Sequence, residues 1–402
     1  MYVKRFLEAK IRKYLTDKEI IALVGPRQSG KTTLLKHIFD DLKKAIYLSF
    51  EDREVLRLFN EQLPTFIKLY IQKYDYVFID EFQYAVEGGK QLKYIYDNHS
   101  TKIIVTGSSV SDLSIRSIKY LVGRILVFTL YPFSFHEFLS YVSPDLFQTY
   151  KKIGDGSLTS MMLPFFREYC TYGGYPRVVL TQDEDKKKEF LKNIYSTYLL
   201  KEIRDILQIQ DDLKLEKLMR ALALQIGSLV QYKELADVSG FSQKEVIHYC
   251  SILEKTFVCM SSKPFFKNKR LELVKAPKYY FLDMGFLNIL LGQFQDMDKR
   301  QDKGVVYENF IASELSKAEI DLHYWRTKSQ AEVDFVVGQG NIPLDVKSKK
   351  TVVSKSLHSF IAKYSPKKAF ILGESHFEDK KKVYFRPHYM ISGIIKKICG
   401  IN

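Results

Sequence analysis

The first third of the chain alternates short apolar runs with segments whose apolar residues recur at helical spacing. The apolar runs have the length and β-branched character of strands, and they cover residues 20–24, 45–50, 76–80, 102–105 and 125–130. Strands that alternate with helices predict an α/β fold in which a parallel sheet carries helices on both faces. We therefore predict a five-stranded α/β domain over residues 1–140.

The middle of the chain is predicted to be helical. Helical spacing extends from about Leu163 to Ile226, which indicates a helical lid and connector over residues 141–212. Farther on, Ser242 and Glu245 have the spacing of a capping box and mark the start of another helix.

Residues 213–283 are predicted to form a winged-helix-like domain. Two short helices are joined by residues 238–241 and are followed by two apolar segments. In a winged helix, Gln243, Lys244 and His248 would face a groove of nucleic acid. Because the same pattern also occurs in protein-interaction modules, DNA contact and protein contact both stay open.

The last part of the chain, residues 284–402, predicts a second α/β unit. Its elements follow the order αβββαβ, with a helix at 304–316, strands at 322–326, 332–337 and 342–346, a helix at 358–364 and a strand at 369–372.

A glycine-rich loop joins the first strand to the first helix of the predicted sheet. It runs from Gly25 to Thr33 and fills the phosphate-binding pattern G-x-x-x-x-G-K-[ST]. Its backbone N–H groups can turn toward phosphates, Lys31 can reach the β and γ oxygens, and the Thr32 hydroxyl can ligate Mg²⁺. The predicted nucleotide-binding residues are Gly25, Gln28, Ser29, Gly30, Lys31, Thr32 and Thr33.

Two acids end the third strand. Asp80 is predicted to hold Mg²⁺ through water, together with Thr32, and Glu81 to polarise the attacking water. Ser108, after the fourth strand, could sense the γ-phosphate or could simply end the strand. Arg124, before the fifth strand, could contact phosphate in its own or a neighbouring subunit, or could be a surface charge. The candidate catalytic residues are Glu81, Lys31, Ser108 and Arg124.

A hairpin in the last part of the chain places two acids opposite each other. If the loop at 338–341 is a simple turn without a bulge, Asp334 lies opposite Asp345, and Glu332 lies opposite Lys347. Like charges that face each other destabilise a sheet unless something positive offsets them.

A Mg²⁺ or Mn²⁺ ion held by Asp334 and Asp345 is the natural offset, with Glu308 as a further ligand and Lys347 near an attacked phosphate. This ordered set resembles the active site of restriction-endonuclease-like nucleases, in which Glu is more usual than Asp at position 345. The alternative is a surface salt bridge between Glu332 and Lys347, with a solvated Asp345.

The motifs together resemble the predicted AAA-type ATPases of archaea and bacteria that carry an uncharacterised nuclease-like C-terminal domain. The resemblance covers nearly the whole chain and rests on GPRQSGKTT, VFIDE, TGSS, LVGR and YPFSFHEF, followed by YGGYP, FLDMGFL, YENFIASEL, YWRTKSQAEVDFVV and IPLDVKS. It implies an ATP-binding domain, a winged helix and a restriction-endonuclease-like fold, and it implies no substrate.

Charge narrows the range of partners. The chain has 62 Lys and Arg against 47 Asp and Glu, a net charge of +15, and from residue 341 onward it has 13 basic residues against four acids. Such a surface attracts nucleic acid first and anionic membranes second, although a solvated lysine-rich surface is the simpler alternative. No apolar run is long enough for a membrane span, and the four cysteines form no metal or disulfide pattern. A cytoplasmic protein with reduced thiols is expected.

These features predict a Mg²⁺-dependent ATPase coupled to a DNA-directed, nuclease-like domain. The alternative is an ATP-dependent switch or assembly factor whose nuclease-like domain only binds nucleic acid or a protein partner. A third interpretation is a metal-dependent nuclease that ATP regulates. A homo-oligomer is compatible with each of them.

Overall fold

The computed structural model describes residues 2–107, 120–196, 211–266, 275–338, 340–348 and 352–399, together with 203, 204, 206 and 209. The chain forms two compact units. The first consists of residues 1–133 with 255–257, and the second of residues 134–254 and 258–402. The first unit therefore ends at Phe133, before the predicted boundary at residue 140. The finer boundaries within the second unit stay predictions.

The first unit contains the predicted parallel sheet. Its strands are β1 (Ile20–Val24), β2 (Ala45–Ser49), β3 (Tyr76–Asp80), β4 (Lys102–Gly107) and β5 (Ile125–Thr129). They are all parallel, in the order β2-β3-β4-β1-β5. Every residue of β1 is buried, because helices cover both faces of the sheet, and this explains why β1 is a continuous apolar run rather than an alternating one. The predicted five-stranded α/β fold is confirmed.

Helices flank this sheet. They are α1 (Phe6–Lys13), α2 (Lys31–Asp40), α3 (Arg53–Glu61), α4 (Leu63–Phe66), which continues into a π-helical turn (Ile67–Ile71), and α5 (Gly88–Asn98). Asp52 caps α3 by accepting the N–H groups of Glu54 and Val55, so that the side chain satisfies donors that have no partner within the helix.

The rest of the described chain is mainly helical before residue 259 and mixed after it. The helices are α6 (Phe135–Val142), α7 (Pro144–Ile153), α8 (Thr159–Tyr172), α9 (Pro176–Val179), α10 (Glu184–Asn193), α11 (Asp212–Leu224), α12 (Tyr232–Ser239), α13 (Gln243–Lys255), α14 (Met284–Leu291), α15 (Lys303–Lys317), α16 (Lys355–Tyr364) and α17 (Ile391–Cys399). The predicted capping box is present, because Ser242 Oγ accepts the Glu245 N–H at 3.3 Å and Glu245 Oε2 accepts the Ser242 N–H at 2.7 Å.

The described strands of the second unit form two sheets. They are β6 (Cys259–Pro264), β7 (Lys278–Phe281), β8 (His323–Arg326), β9 (Glu332–Val333), β10 (Phe335–Val337), β11 (Ile342–Val346), β12 (Ala369–Gly373), β13 (Glu378–Lys380) and β14 (Val383–Pro387). One sheet has the order β10-β11-β12-β14-β13 and the other β7-β6-β8-β9. The helix and strand order predicted from residue 304 to 372 is found, and β13 and β14 follow it.

The predicted register of the hairpin is found, but the predicted strand at 332–337 is wrong as a single strand. Phe335 pairs with Leu344 and Val337 with Ile342, so that extending the ladder by one step brings Asp334 opposite Asp345. The strand breaks at Asp334, whose carboxylate accepts the Val346 N–H at 2.7 Å in place of a backbone carbonyl. As a result β9 joins one sheet and β10 the other.

Buried hydrogen bonds connect two pairs of the sequence motifs that lie far apart in the chain. Glu314, on α15, accepts the Phe135 N–H at the start of α6 at 3.2 Å and the Tyr169 hydroxyl at 3.3 Å, and burial raises the pKa of Glu314. This contact links YENFIASEL to YPFSFHEF. In the same way, buried Asp283 accepts the Gly174 N–H at 2.8 Å, and a Cβ at Gly173 would lie 2.2 Å from Asp283 Oδ1. The FLDMGFL segment therefore packs directly against the YGGYP segment.

Among the described residues, none forms a helix of the length and apolar character that a bilayer crossing requires.

Candidate nucleotide site and acid cluster

The glycine loop has the backbone conformation that its sequence predicts. Gly25 and Gly30 have φ angles of 147° and 96°, and Gln28 between them has a φ of 60°. A Cβ at Gly25 would lie 2.2 Å from the carbonyl oxygen of Leu130. Only glycine fits here, because the loop passes directly against the backbone that follows β5.

Lys31 begins α2, and its ammonium lies within the loop. Nζ donates to the carbonyl oxygens of Gly25 at 2.8 Å and Pro26 at 3.0 Å, and Lys31 is 7% exposed. Among the described residues, the buried Ser29 hydroxyl has no hydrogen-bond partner. Within the described residues, the loop therefore holds the buried ammonium of Lys31 and, two residues before it, the Ser29 hydroxyl without a hydrogen-bond partner.

Arg5 supports the loop from the N-terminal segment. Its buried guanidinium donates to the Ser29 carbonyl at 2.9 Å and to the Tyr131 carbonyl at 2.6 Å, and it lies 4.7 Å from the centre of the Phe133 ring. Arg5 thus ties the loop backbone to the segment that follows β5.

Asp80 is surrounded by hydroxyl groups. Asp80 Oδ2 accepts from Thr32 Oγ1 at 2.9 Å and from the Tyr47 hydroxyl at 2.7 Å, whereas Oδ1 accepts from Thr106 Oγ1. Burial, followed by the charge of Asp80, raises the pKa of Tyr47, which keeps this hydroxyl protonated as a donor. Sequence reasoning selected Thr32 and missed Tyr47 and Thr106.

Glu81 is held in a left-handed backbone conformation with a φ of 54°. Its N–H donates to Thr106 Oγ1 at 3.0 Å and to Asp80 Oδ1 at 3.2 Å, and these bonds stabilise an uncommon geometry for a non-glycine residue. Gln83 Nε2 donates to the Glu81 carboxylate. The backbone of Glu81 is thus held by Asp80 and Thr106, and its carboxylate by Gln83 in the turn that follows.

Two other candidates have different outcomes. Ser108 lies outside the residues that the structure describes. Arg124 lies at the opposite end of the strands from the glycine loop, because Ile20 pairs with Ile125 at one end and the loop follows Val24 at the other. Four residues of strand separate these ends by about 13 Å. Arg124 instead donates to Asp97 Oδ1 at 2.8 Å.

The second unit brings together the four carboxylates Glu308, Glu332, Asp334 and Asp345, which we call the acid cluster. Asp345, which is 1% exposed, accepts from Lys347 Nζ at 2.7 Å and from Ser354 Oγ at 3.1 Å. Burial, and then the charges of Glu308 and Asp345, raise the pKa of Asp334 well above its usual value.

Lys278, on β7, provides a second cation to the acid cluster. Its ammonium donates to Glu332 Oε1 and lies 3.4 Å from Glu308 Oε1, which also accepts the Tyr280 hydroxyl at 2.6 Å. Burial alone would lower the pKa of Lys278, but the neighbouring carboxylates of Glu308, Asp334 and Glu332 raise it. The predicted Glu332–Lys347 pair is wrong, because Glu332 binds Lys278 and Arg326.

The two sites differ in their fit to a metal ion. In the first unit, a hydroxyl on the loop helix and a strand-end carboxylate lie 2.9 Å apart, an arrangement suited to Mg²⁺ bound beside nucleotide phosphates. In the second unit the predicted cation position is flanked by ammonium groups. No group of three or more His, Cys, Asp or Glu side chains is arranged to hold a metal ion within the described part of the chain.

The sheet order, the glycine loop and the acid at the end of β3 define the first unit as a P-loop ATPase fold. Residues 17–139 match the family model of an AAA domain. The remainder matches two models of unknown function, DUF8612 over residues 164–297 and DUF4143 over residues 303–387. The predicted P-loop fold of the first unit is therefore confirmed, and residues 17–139 are similar to an AAA domain.

Two uncharacterized relatives match along most of their length. An uncharacterized protein of Haemophilus influenzae is 26% identical over 346 residues, which cover 80% of each chain. An uncharacterized protein of Methanocaldococcus jannaschii is 25% identical over 350 residues, 83% of this chain and 75% of that protein. Among solved structures, a Walker-type ATPase of Pyrococcus abyssi has a TM-score of 0.48 and 16% identity, and covers 72% of this chain and 96% of that one.

Proposed function

We propose that the first unit is a Mg²⁺-dependent ATP hydrolase. The observation that carries this proposal is the contact between Thr32 and Asp80, beside the Lys31 ammonium in the glycine loop. Glu81 directly follows Asp80. Lys31 would exchange its carbonyl partners for β and γ phosphate oxygens, and Thr32 and Asp80 would hold Mg²⁺. When bound, Mg²⁺ neutralises charge on the phosphate oxygens. Glu81 orients the attacking water and accepts its proton.

The test is phosphate release by the full-length protein with ATP and Mg²⁺, with and without duplex DNA. We expect Lys31→Ala to lose ATP binding and turnover. Glu81→Gln should bind ATP but turn over at least about 100-fold more slowly, because the loss of a general base costs about that factor or more. Glu87→Gln, at an exposed acid six residues away, is the matched control. Equal turnover in wild type and Glu81→Gln would refute the proposal.

We propose that Arg124 acts on the nucleotide of a neighbouring subunit in a homo-oligomer. This proposal is supported by its partial exposure and its position at the sheet edge far from its own loop. Arg124→Ala protein mixed with Glu81→Gln protein would then regain part of the turnover, because each supplies the group that the other lacks. Mixtures with no more activity than their components would contradict it.

We further propose that the second unit is directed to nucleic acid through a restriction-endonuclease-like fold. Support comes from its helix and strand order and from exposed lysines in its last part, Lys355, Lys363, Lys367, Lys368, Lys380, Lys381 and Lys382. Binding of a fluorescent DNA duplex should weaken steeply with salt. Joint replacement of Lys380, Lys381 and Lys382 by Gln should reduce that salt dependence more than replacement of Lys186 and Lys188. Salt-independent binding would contradict the proposal.

Residues 213–283 are proposed to form a winged-helix-like part of this unit. The order of α11, α12 and α13, followed by the antiparallel pair β6 and β7, supports the proposal, as does the bridge between Leu229 and Lys278. Lys244 and His248 are exposed on α13. Lys244→Ala should weaken the DNA complex if this helix contacts a groove, and an unchanged affinity would favour contact with a protein.

A further inference from the structure

We infer that Lys278 is the resident cation of the acid cluster, so that the second unit offsets its acids with its own basic side chains and takes up no divalent metal ion there. The second unit would then be a binding module instead of a metal-dependent nuclease.

Strand β7 delivers Lys278 to the cluster in a fixed position. Lys278 is 1% exposed, and it pairs in register with Ser262 of β6 on one side and bridges to Leu229 on the other. Tyr280, two residues farther along, projects from the same face of the strand and donates to Glu308 at 2.6 Å. A single strand therefore provides a cation and a hydroxyl to the same carboxylate.

Every carboxylate of the cluster has a donor from the protein. Glu308 and Glu332 share Lys278, and Glu332 also pairs with Arg326 at 3.2 Å. Asp345 is bound by Lys347 at 2.7 Å and Asp334 by the Val346 N–H at 2.7 Å. Three cations thus accompany four acids, and each of the four carboxylates has at least one donor from the protein.

A divalent ion would have to compete with these cations. It needs carboxylate oxygens at about 2.0–2.6 Å, and Glu308, one of the predicted ligands, already has the Lys278 ammonium 3.4 Å away. An ion bound to that oxygen would lie no more than about 6 Å from the ammonium, and two positive charges at that distance repel in a poorly solvated interior. Lys347 is 30% exposed and could swing away, but Lys278 is buried on a strand paired on both sides.

The experiment counts bound Mn²⁺ by electron spin resonance on full-length protein without nucleotide, and follows thermal unfolding in the same samples. Wild type and Asp345→Asn should bind equal numbers of Mn²⁺ ions. Lys278→Met should melt at lower temperature, bind one more Mn²⁺ per chain than wild type, and be restabilised by Mn²⁺. Adding Asp345→Asn to Lys278→Met should abolish the gain. Lys263→Met, at an exposed lysine of β6, is the matched control and should behave as wild type.

Two outcomes overturn the inference. One is a wild-type protein that loses a bound Mn²⁺ on Asp345→Asn, which needs no Lys278 variant and so decides the question even if Lys278→Met does not fold. The other is a folded Lys278→Met protein that binds no additional Mn²⁺. ATP turnover plays no part in either measurement, so the inference can fail while the ATPase proposal stands.

Discussion

Asp80 in the first unit and Asp345 in the second are both strand-end carboxylates that are nearly buried, but their partners differ in charge. Asp80 accepts from hydroxyl groups of Thr32, Tyr47 and Thr106, whereas Asp345 accepts from the ammonium of Lys347 and the hydroxyl of Ser354. Hydroxyl donors orient a carboxylate and leave its negative charge in place. An ammonium group cancels that charge. A buried acid can thus be prepared for a cation or already be satisfied by one.

The largest effect is expected at Lys278. Replacing it by Met should lower the free energy of unfolding by about 3–5 kcal/mol, because the loss of one partner of a buried ion pair leaves the other charge uncompensated. Urea unfolding measures the change. Lys263→Met should change stability by about 0.5 kcal/mol or less, as for an ordinary surface substitution. Small and equal losses in both variants would show that the acid cluster does not depend on the ammonium.

Asp80→Asn should reduce Mg²⁺-dependent ATP turnover at least about 100-fold, since one preorganised electrostatic group at the reacting centre contributes on that scale. The control is Asp75→Asn, at an exposed acid near the opposite end of β3. Steady-state phosphate release measures both. Comparable turnover in the two variants would mean that Asp80 does not hold a catalytic metal ion, and the contrast between Asp80 and Asp345 would be lost.

Tyr47→Phe tests whether the hydroxyl partners of Asp80 orient it for metal. Loss of one hydrogen bond to a charged group costs about 1.5 kcal/mol, so about tenfold more Mg²⁺ should be needed for half-maximal turnover. Tyr76→Phe, at the start of β3, is the control. A Tyr47→Phe protein with an unchanged or lower Mg²⁺ requirement would mean that this hydroxyl does not position the acid.

Ser354→Ala should have the smallest effect. Ser354 Oγ accepts the Leu357 N–H at 3.1 Å as the N-cap of α16 and also donates to Asp345. Its loss should cost about 1 kcal/mol of stability, as is typical of an N-cap. Chemical unfolding beside Ser359→Ala, in the same helix, measures this cost. A loss as large as that of Lys278→Met would show that the hydroxyl stabilises the cluster as strongly as the ammonium does.

Short sequence patterns predicted the parts of the fold that depend on residues close together in the chain. The glycine loop follows from residues adjacent in sequence, and so does the acid at the end of β3. The hairpin register also followed from its loop length, since Phe335 pairs with Leu344 as the simple turn requires. Each of these predictions relies on neighbours along the chain or on one short connection.

Contacts from distant segments were not predictable in this way. Lys278 reaches Glu308 and Glu332 from a hairpin that precedes them by 30 and 54 residues. Tyr47 and Asp80 meet because β2 and β3 are neighbours in the sheet. The sequence contained one indication that Lys278 is paired with an acid. It lies in the aromatic strand Lys278–Phe281 and is buried with its neighbours, and a buried ammonium group needs a negatively charged partner. Which acid it finds is a property of the folded sheet.

The most direct measurement is the number and location of metal ions bound in the presence of ATP. Glu81→Gln protein with ATP, titrated with Mn²⁺, should bind one nucleotide-dependent ion per chain. Asp80→Asn added to this background should abolish that ion, and Asp345→Asn should leave the count unchanged. A second ion that disappears with Asp345→Asn would contradict the account, because the acid cluster would then take a metal in spite of Lys278.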